Sequence, residues 1–404
     1  MSKTVPARHK DKQVCMYGGA LAMGANSEVI LFPKEVDDAG CPNYEIVPDW
    51  STWQTLPWAC SDKTEVSRVY CLQKSGTGPS APLSGVTPRY ACQQMCNELK
   101  TLGLEMMVGG ELEFTLARFE GSSWEPLFKG VDIFATLQNN KSMDFCYEVE
   151  QKMEPVGVDI LTINAEYGAG QVEVTFAPKF GVEAADMTAT FRTGVKEMAV
   201  QRGLRASFMA KPFGVRGTGN GGHFNFSLWK QEADGQRSNV TSESKSFLAG
   251  ILNHAPALEA LCSPTPPCYA RHGNWAPTIA NWGPDNRMTA VRTKADYWEL
   301  RMPSAAANAY LVMAATIAAG MDGVRSGLEC PPPAQTEDEG AKKLPTSLEE
   351  ALQALEADKY MVSKLGEDLV RWFCMVKRGE IAAIEEKLPK GEGAPPQGSE
   401  EHDA

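Results

Sequence analysis

The chain has 404 residues, above the roughly 250–300 at which one hydrophobic core stops growing, so two unequal domains are expected. Its 43% apolar and 22% charged residues exclude wholesale disorder. A formal charge of −12, from 51 acidic against 39 basic residues with no basic stripe, excludes a nucleic-acid binder.

The N-terminal MSKTVPARHKDK is charged and leads into no apolar run, so it does not read as a signal peptide. Residues 1–80 alternate turn residues with short runs such as Glu28–Phe32 and Val66–Leu72, which read as strands of a small β-containing domain. The stretch SGTGPSAPLSGVT, residues 75–87, has linker composition and marks the boundary. Arg89–Leu102 then shows helical spacing, with Tyr90, Cys92, Met95, Leu99 and Leu102 on one side, and a strand over Glu111–Leu116 follows. Helix and strand signals alternate from there to about residue 386, giving a larger domain over 81–386. The longest apolar stretch, Ala309 to Gly320, falls short of the ~20 residues that span a bilayer and predicts a buried helix. Residues 387–404, ending GEGAPPQGSEEHDA, predict a disordered acidic tail. The eleven cysteines are odd in number and scattered, so neither a zinc knuckle nor a disulfide framework is readable. Reduced thiols in a cytoplasmic protein are expected.

Four segments share an unusual alternation. GGELEF puts Glu111 and Glu113 opposite Leu112 and Phe114, and GQVEVTF puts Gln171 and Glu173 opposite Val172 and Val174. HFNFSLW sets His223, Asn225 and Ser227 against Phe224, Phe226 and Leu228, while WELRM sets Glu299 and Arg301 against Leu300 and Met302. Any one such segment could be a solvated strand face. Together they offer carboxylates and one imidazole, the donors that suit Mg²⁺ or Mn²⁺, and clustered carboxylates repel unless a cation lies among them. Arg271, Arg287, Arg292 and Arg301 add groups that bind phosphate or carboxylate bidentately. Metal with arginine is phosphoryl-transfer equipment. The GTGNGG of residues 217–222 satisfies G-x-G-x-x-G but runs into a strand pattern rather than a helix, so a loop approaching a small ligand is favoured over a dinucleotide site.

With these motifs in hand, the chain resembles the glutamine synthetase family. The matching segments are GGELEF, EYGAGQVEVTF, KPFGVRGTGNGGHFNFSLW, NWGPDNRMTAVR and ELRMPSAAANAYLVMAATIAAGMDGV. The resemblance implies an α+β fold: a small N-terminal β-grasp domain, incomplete at its start because MSKTVPAR is similar to an internal family segment, then a catalytic domain of antiparallel strands and helices. It implies homo-oligomeric rings, decamers or dodecamers, with sites between subunits. Glu113, Glu166 and Glu173 resemble the ligands of one divalent metal, and Glu111, His223 and Glu299 those of a second. Arg271 and Arg301 resemble the catalytic arginines that face glutamate and its phosphorylated intermediate, Arg287 and Arg292 those that face ATP, and Gly219 the glycine of the glutamate loop. The implied reaction phosphorylates the γ-carboxylate of glutamate with ATP and joins it to an amine.

The departures are equally informative. The family's DGSS loop corresponds to YGGA at Tyr17–Ala20, its flap glutamate to Trp275, and the loop asparagine before Gly219 to Thr218. Such losses resemble two branches of the family, the γ-glutamylpolyamine synthetases, which use larger amines, and lengsin, a structural relative with a cytoskeletal partner. Retention of the metal carboxylates favours the ligase, with a larger amine preferred to ammonia.

Overall fold

The computed structural model describes residues 2–24, 33–128, 133–214, 217–232, 236–240, 243–334 and 341–387. The strand expected over Glu28–Phe32 and the tail beyond residue 387 lie outside these. The N-terminal region holds a three-stranded antiparallel sheet of Val14–Tyr17, Asn43–Pro48 and Cys71–Gln73, with Ile46 pairing both Val14 and Gln73. The run expected over Val66–Leu72 is split, because Ser67–Arg68 pairs instead with Gln54–Thr55.

Among the described residues, a mixed sheet of eleven strands forms the centre of the larger part that follows. Its axis is one long strand, Glu105–Glu120, flanked by Gln171–Phe176 on one edge and Gly222–Gln231 on the other. The strand extends beyond the expected Glu111–Leu116 because Met106 and Val108 continue the buried alternation and because Gly109 and Gly110 leave room for Phe176. A Cβ on Gly110 would lie 3.0 Å from that ring. Beyond Gly222–Gln231 follow Trp298–Leu300, Val291–Thr293 and Trp282–Pro284, and beyond Gln171–Phe176 follows Ile160–Ala165. Pairing is antiparallel except between Trp282–Pro284 and Val291–Thr293, which are parallel, a departure from the all-antiparallel expectation.

Helices cover one face. Leu112, Phe114, Val172 and Val174 pack with residues of Val182–Gln201 such as Phe191 and Val195, while Phe224, Phe226 and Leu300 join a second core built on Ser244–Cys262 and Ala309–Ser326. The predicted helical segments open at Pro88, where a proline suits the first turn, and at Ala309, where Asn308 caps the amides of Tyr310 and Leu311. All eleven cysteines are free thiols. No helix among the described residues is long and apolar enough to cross a membrane.

The small sheet is not insulated from this body. Leu56 and Trp58 belong to the core beneath Phe114, and Trp58 Nε1 donates to Glu197 at 2.5 Å. Arg89 holds Asp186 through two hydrogen bonds at 2.8 and 2.9 Å and reaches Asp49 at 3.0 Å, so one buried guanidinium ties both parts together.

Helices Ser244–Cys262 and Ala309–Ser326 approach through glycine. A Cβ at Gly323 would lie 1.9 Å from the Ser246 carbonyl and 2.9 Å from the Gly250 Cα, and one at Gly250 would lie 2.1 Å from the Ala319 carbonyl. These atoms are backbone and cannot rotate away. Gly323→Ala is therefore expected to destabilise the fold by at least the 1–3 kcal/mol (about) of overpacked cores, read as a lower chemical-denaturation midpoint. A midpoint equal to wild type would show that the two helices can separate without cost.

Candidate functional site

Strand register, more than any single residue, assembles the site. Residues directly opposite in an antiparallel pair share a face, and so do residues two apart on a strand. Glu111 is opposite His223, Glu113 is opposite Glu173, and Asn225 is opposite Glu299. Glu111, Glu113, Glu173, His223, Asn225 and Glu299 are therefore forced onto the face that the helices leave uncovered. Glu166 follows the neighbouring strand Ile160–Ala165, whose Asn164 is opposite Glu173 and donates to the Glu166 carboxylate at 3.3 Å.

Ligand atoms of Glu111, His223 and Glu299 lie within 4.8 Å of one another. His223 Nδ1 is 3.1 Å from Glu111 Oε1 and 3.3 Å from Glu299 Oε1. Glu113 accepts from Gln171 Nε2 at 2.7 Å and from the Gly221 amide at 2.9 Å. The charges divide the cluster. Burial works against ionisation of Glu111, but the hydrogen bond and attraction of His223, with Asn225 and Arg301, hold its pKa well below the usual range. Burial raises Glu113. Burial, then the charge of Glu113, pushes Glu166 up to about 7. Burial and the charges of Glu111, Glu113 and Glu166 push Glu173 far above an ordinary carboxylate. Oxygen donors with one imidazole, crowded until some must hold protons, form a donor set that fits Mg²⁺ or Mn²⁺.

The arginines surround this group unequally. Arg301 donates to Glu299, to the Arg287 carbonyl at 2.9 Å and to the Trp275 carbonyl at 3.2 Å. Arg292 donates to the other Glu299 oxygen at 2.9 Å and to Asp285. Arg287 differs, since its side chain is exposed. Arg271 is buried, and burial pulls its guanidinium below the ordinary arginine value. Its stem lies against Gly219, where a Cβ would meet the Arg271 Cγ at 2.6 Å, and so the loop requires glycine there. The GTGNGG segment does run into a strand, Gly222–Gln231.

Three contributors were not singled out from the sequence. Asn220 is fully buried and donates to Met209 O at 2.9 Å and Thr115 Oγ1 at 3.2 Å, while its Oδ1 accepts from Gln171 at 3.0 Å. It pins the glycine loop to the sheet, and its only sequence signal was its place between glycines. Lys211 is buried and donates to Gly217 O at 2.6 Å, holding the loop's other end. Asp285 fixes Arg292, and its proximity in sequence was the available clue. Trp275 stands at a loop tip, 58% exposed with φ +62°, a strained conformation for a bulky residue. Tyr17 ends a strand of the small sheet.

Residues 85–392 match the sequence profile of the glutamine synthetase catalytic domain. Lengsin of Canis lupus familiaris is 32% identical over 415 aligned positions, covering 94% of this chain and 68% of that protein. The glutamate–methylamine ligase of Methyloversatilis universalis is 32% identical over 394, covering 90% and 86%. Among solved structures, one titled GmaS/ADP complex superposes with a TM-score of 0.77 at 28% identity, covering 86% of this chain and 84% of that one.

A carboxyl group whose folded pKa lies above its unfolded value of ~4.3 binds its proton more tightly when folded, so the stability it contributes is complete below that value and is lost as pH rises through the folded pKa. With EDTA present, the thermal midpoint should fall between about pH 4.5 and pH 7.5, through the Glu166 value of about 7, and Glu166→Gln should flatten that fall. An unchanged slope in the variant would remove Glu166 from the repelling cluster.

Proposed function

The chain belongs to the glutamine synthetase family, and on that premise we propose that it is an ATP-dependent ligase joining the γ-carboxylate of glutamate to an amine larger than ammonia. The observation that carries this reading is the gathering of five carboxylates and His223 at one sheet face, although the charges of Glu111, Glu113, Glu166 and Glu173 repel one another. Glu113, Glu166 and Glu173 would hold one Mg²⁺ or Mn²⁺, and Glu111, His223 and Glu299 another. Such cations supply neutralisation of the transferred phosphoryl charge. Arg287 and Arg292 are assigned to the ATP phosphates, with Arg287 exposed and able to reach a polyanion. Arg271 and Arg301 are assigned to glutamate and its acyl phosphate, and Gly219 lets the loop backbone pass close to Arg271.

The nucleophile follows from the loop carrying Trp275. That residue offers an exposed indole beside the carbonyl that Arg301 contacts, a surface suited to the hydrocarbon and the cationic head of an alkylamine. A carboxylate at Trp275 or Tyr17 would instead favour the small ammonium ion. The relative named glutamate–methylamine ligase supports an organic amine as co-substrate. A second reading, a lengsin-like scaffold without turnover and with a cytoskeletal partner, has one observation in its favour. Arg292 and Arg301 already neutralise Glu299, so the fold does not need a metal at that residue to balance its charge.

Phosphate release from ATP with glutamate should be faster with methylamine or a diamine than with ammonia. Arg301→Ala and Glu299→Ala should each cut it by about 10²-fold or more. Ammonia outpacing every organic amine would overturn the choice of nucleophile, and no amine-dependent release at all would establish the scaffold. We further propose a homo-oligomeric ring of ten or twelve subunits, for which light scattering should give a mass many times the 43.9 kDa of one chain. A monomer at micromolar concentration would count against shared sites.

A further inference from the structure

Beneath Arg271 lies a second polar cluster that the proposed reaction leaves unused. Glu259, on the inner side of helix Ser244–Cys262, is completely buried. A buried carboxylate is costly unless something compensates it. One of its oxygens is 3.0 Å from His272 Nε2, while Oε2 has no hydrogen-bond partner among the described residues. Arg271 Nη1, one residue before His272 in the chain, is likewise buried and unpartnered. The same holds for Tyr269 Oη and for Ser263 Oγ, one helical turn beyond Glu259. Burial works against the Arg271 cation, and Cys268, Glu113 on the metal-competent face and Glu259 on the helix favour it.

His272 is also the root of the loop bearing Trp275. It forms a parallel bridge with Ala276, the Gly273 amide donates to the Ala276 carbonyl at 3.0 Å, and the Asn274 amide donates to the Arg271 carbonyl at 2.9 Å. Holding the imidazole therefore fixes the backbone on which both Arg271 and Trp275 stand.

We propose that Glu259 is a positioning residue for the substrate carboxylate: through His272 and its own charge it sets the place and orientation of Arg271. This rests on the ligase reading and adds to it a buried residue that touches no substrate. Removing the charge while keeping the shape should loosen glutamate selectively, since the metal ligands and Arg292 are held by other partners and Arg287 is exposed.

The experiment compares wild type with Glu259→Gln by steady-state phosphate release, and by calorimetry of glutamate binding with Mg²⁺ and a non-hydrolysable ATP analogue. The variant is expected to raise KM and Kd for glutamate about 10-fold or more, as for loss of a hydrogen bond to a charged group, with KM for ATP changed less than about 2-fold. A merely structural role would lower the thermal midpoint and affect both substrates alike, and that result overturns the proposal, as does unchanged glutamate affinity. Should Glu259→Gln not fold, His272→Gln is read by the same criteria. If wild type neither turns over nor binds glutamate, the ligase reading fails and this proposal falls with it, an outcome distinct from an active wild type with an indifferent variant.

Discussion

Carboxylates held on one buried face of a sheet, where their charges repel, are the constraint around which the rest of the molecule is arranged. Glu111, Glu113 and Glu173 cannot move apart, because each sits on a strand whose opposite side chains, Leu112, Phe114 and Val174, are locked in the core. Their repulsion is contained in three ways. Burial and neighbouring charge favour the protonated forms of Glu166 and Glu173, His223 and Asn225 bind Glu111, and Arg292 and Arg301 pair with Glu299. Each device is what a divalent cation would displace or release.

The arginines consequently have two allegiances. Arg292 and Arg301 both donate to Glu299, yet they are also the kind of group suited to phosphate and carboxylate. Glu299 is buried between the two guanidinium groups, so the three charges are coupled. Such coupling between neighbouring ionic groups is expected wherever burial strengthens electrostatics. The glycine loop obeys the same economy of space: Gly219 admits the stem of Arg271, and a Cβ on Gly221 would lie 2.9 Å from His223 Nε2, so small residues there keep the charged groups in contact.

Much of this was legible beforehand because period-two alternation survives in the sequence. GGELEF, GQVEVTF and HFNFSLW announced both their strands and the side on which each carboxylate or imidazole stands, and the helix Pro88–Lys100 and the buried helix Ala309–Ser326 were read within a few residues. Less regular places were not. Asn220 acts through four partners distant in the chain, Thr115, Gln171, Ser207 and Met209, Glu259 is an acidic residue inside an apolar helix that reads only as an interruption, and Leu56 and Trp58 of the N-terminal region join the core of the large sheet. None of those facts has a local signature.

The sequence by itself determined the residue types available for chemistry, the strands that bear them and the face each would occupy, since the alternation of a strand is covalent geometry. The tertiary structure decided which strands are neighbours and in what register. That step set Glu111 against His223 and Glu113 against Glu173, and it gave similar glutamates opposite protonation preferences. Register and burial are properties of pairing and packing between segments far apart in the chain, and a shift of one residue would have turned every one of these side chains into the core.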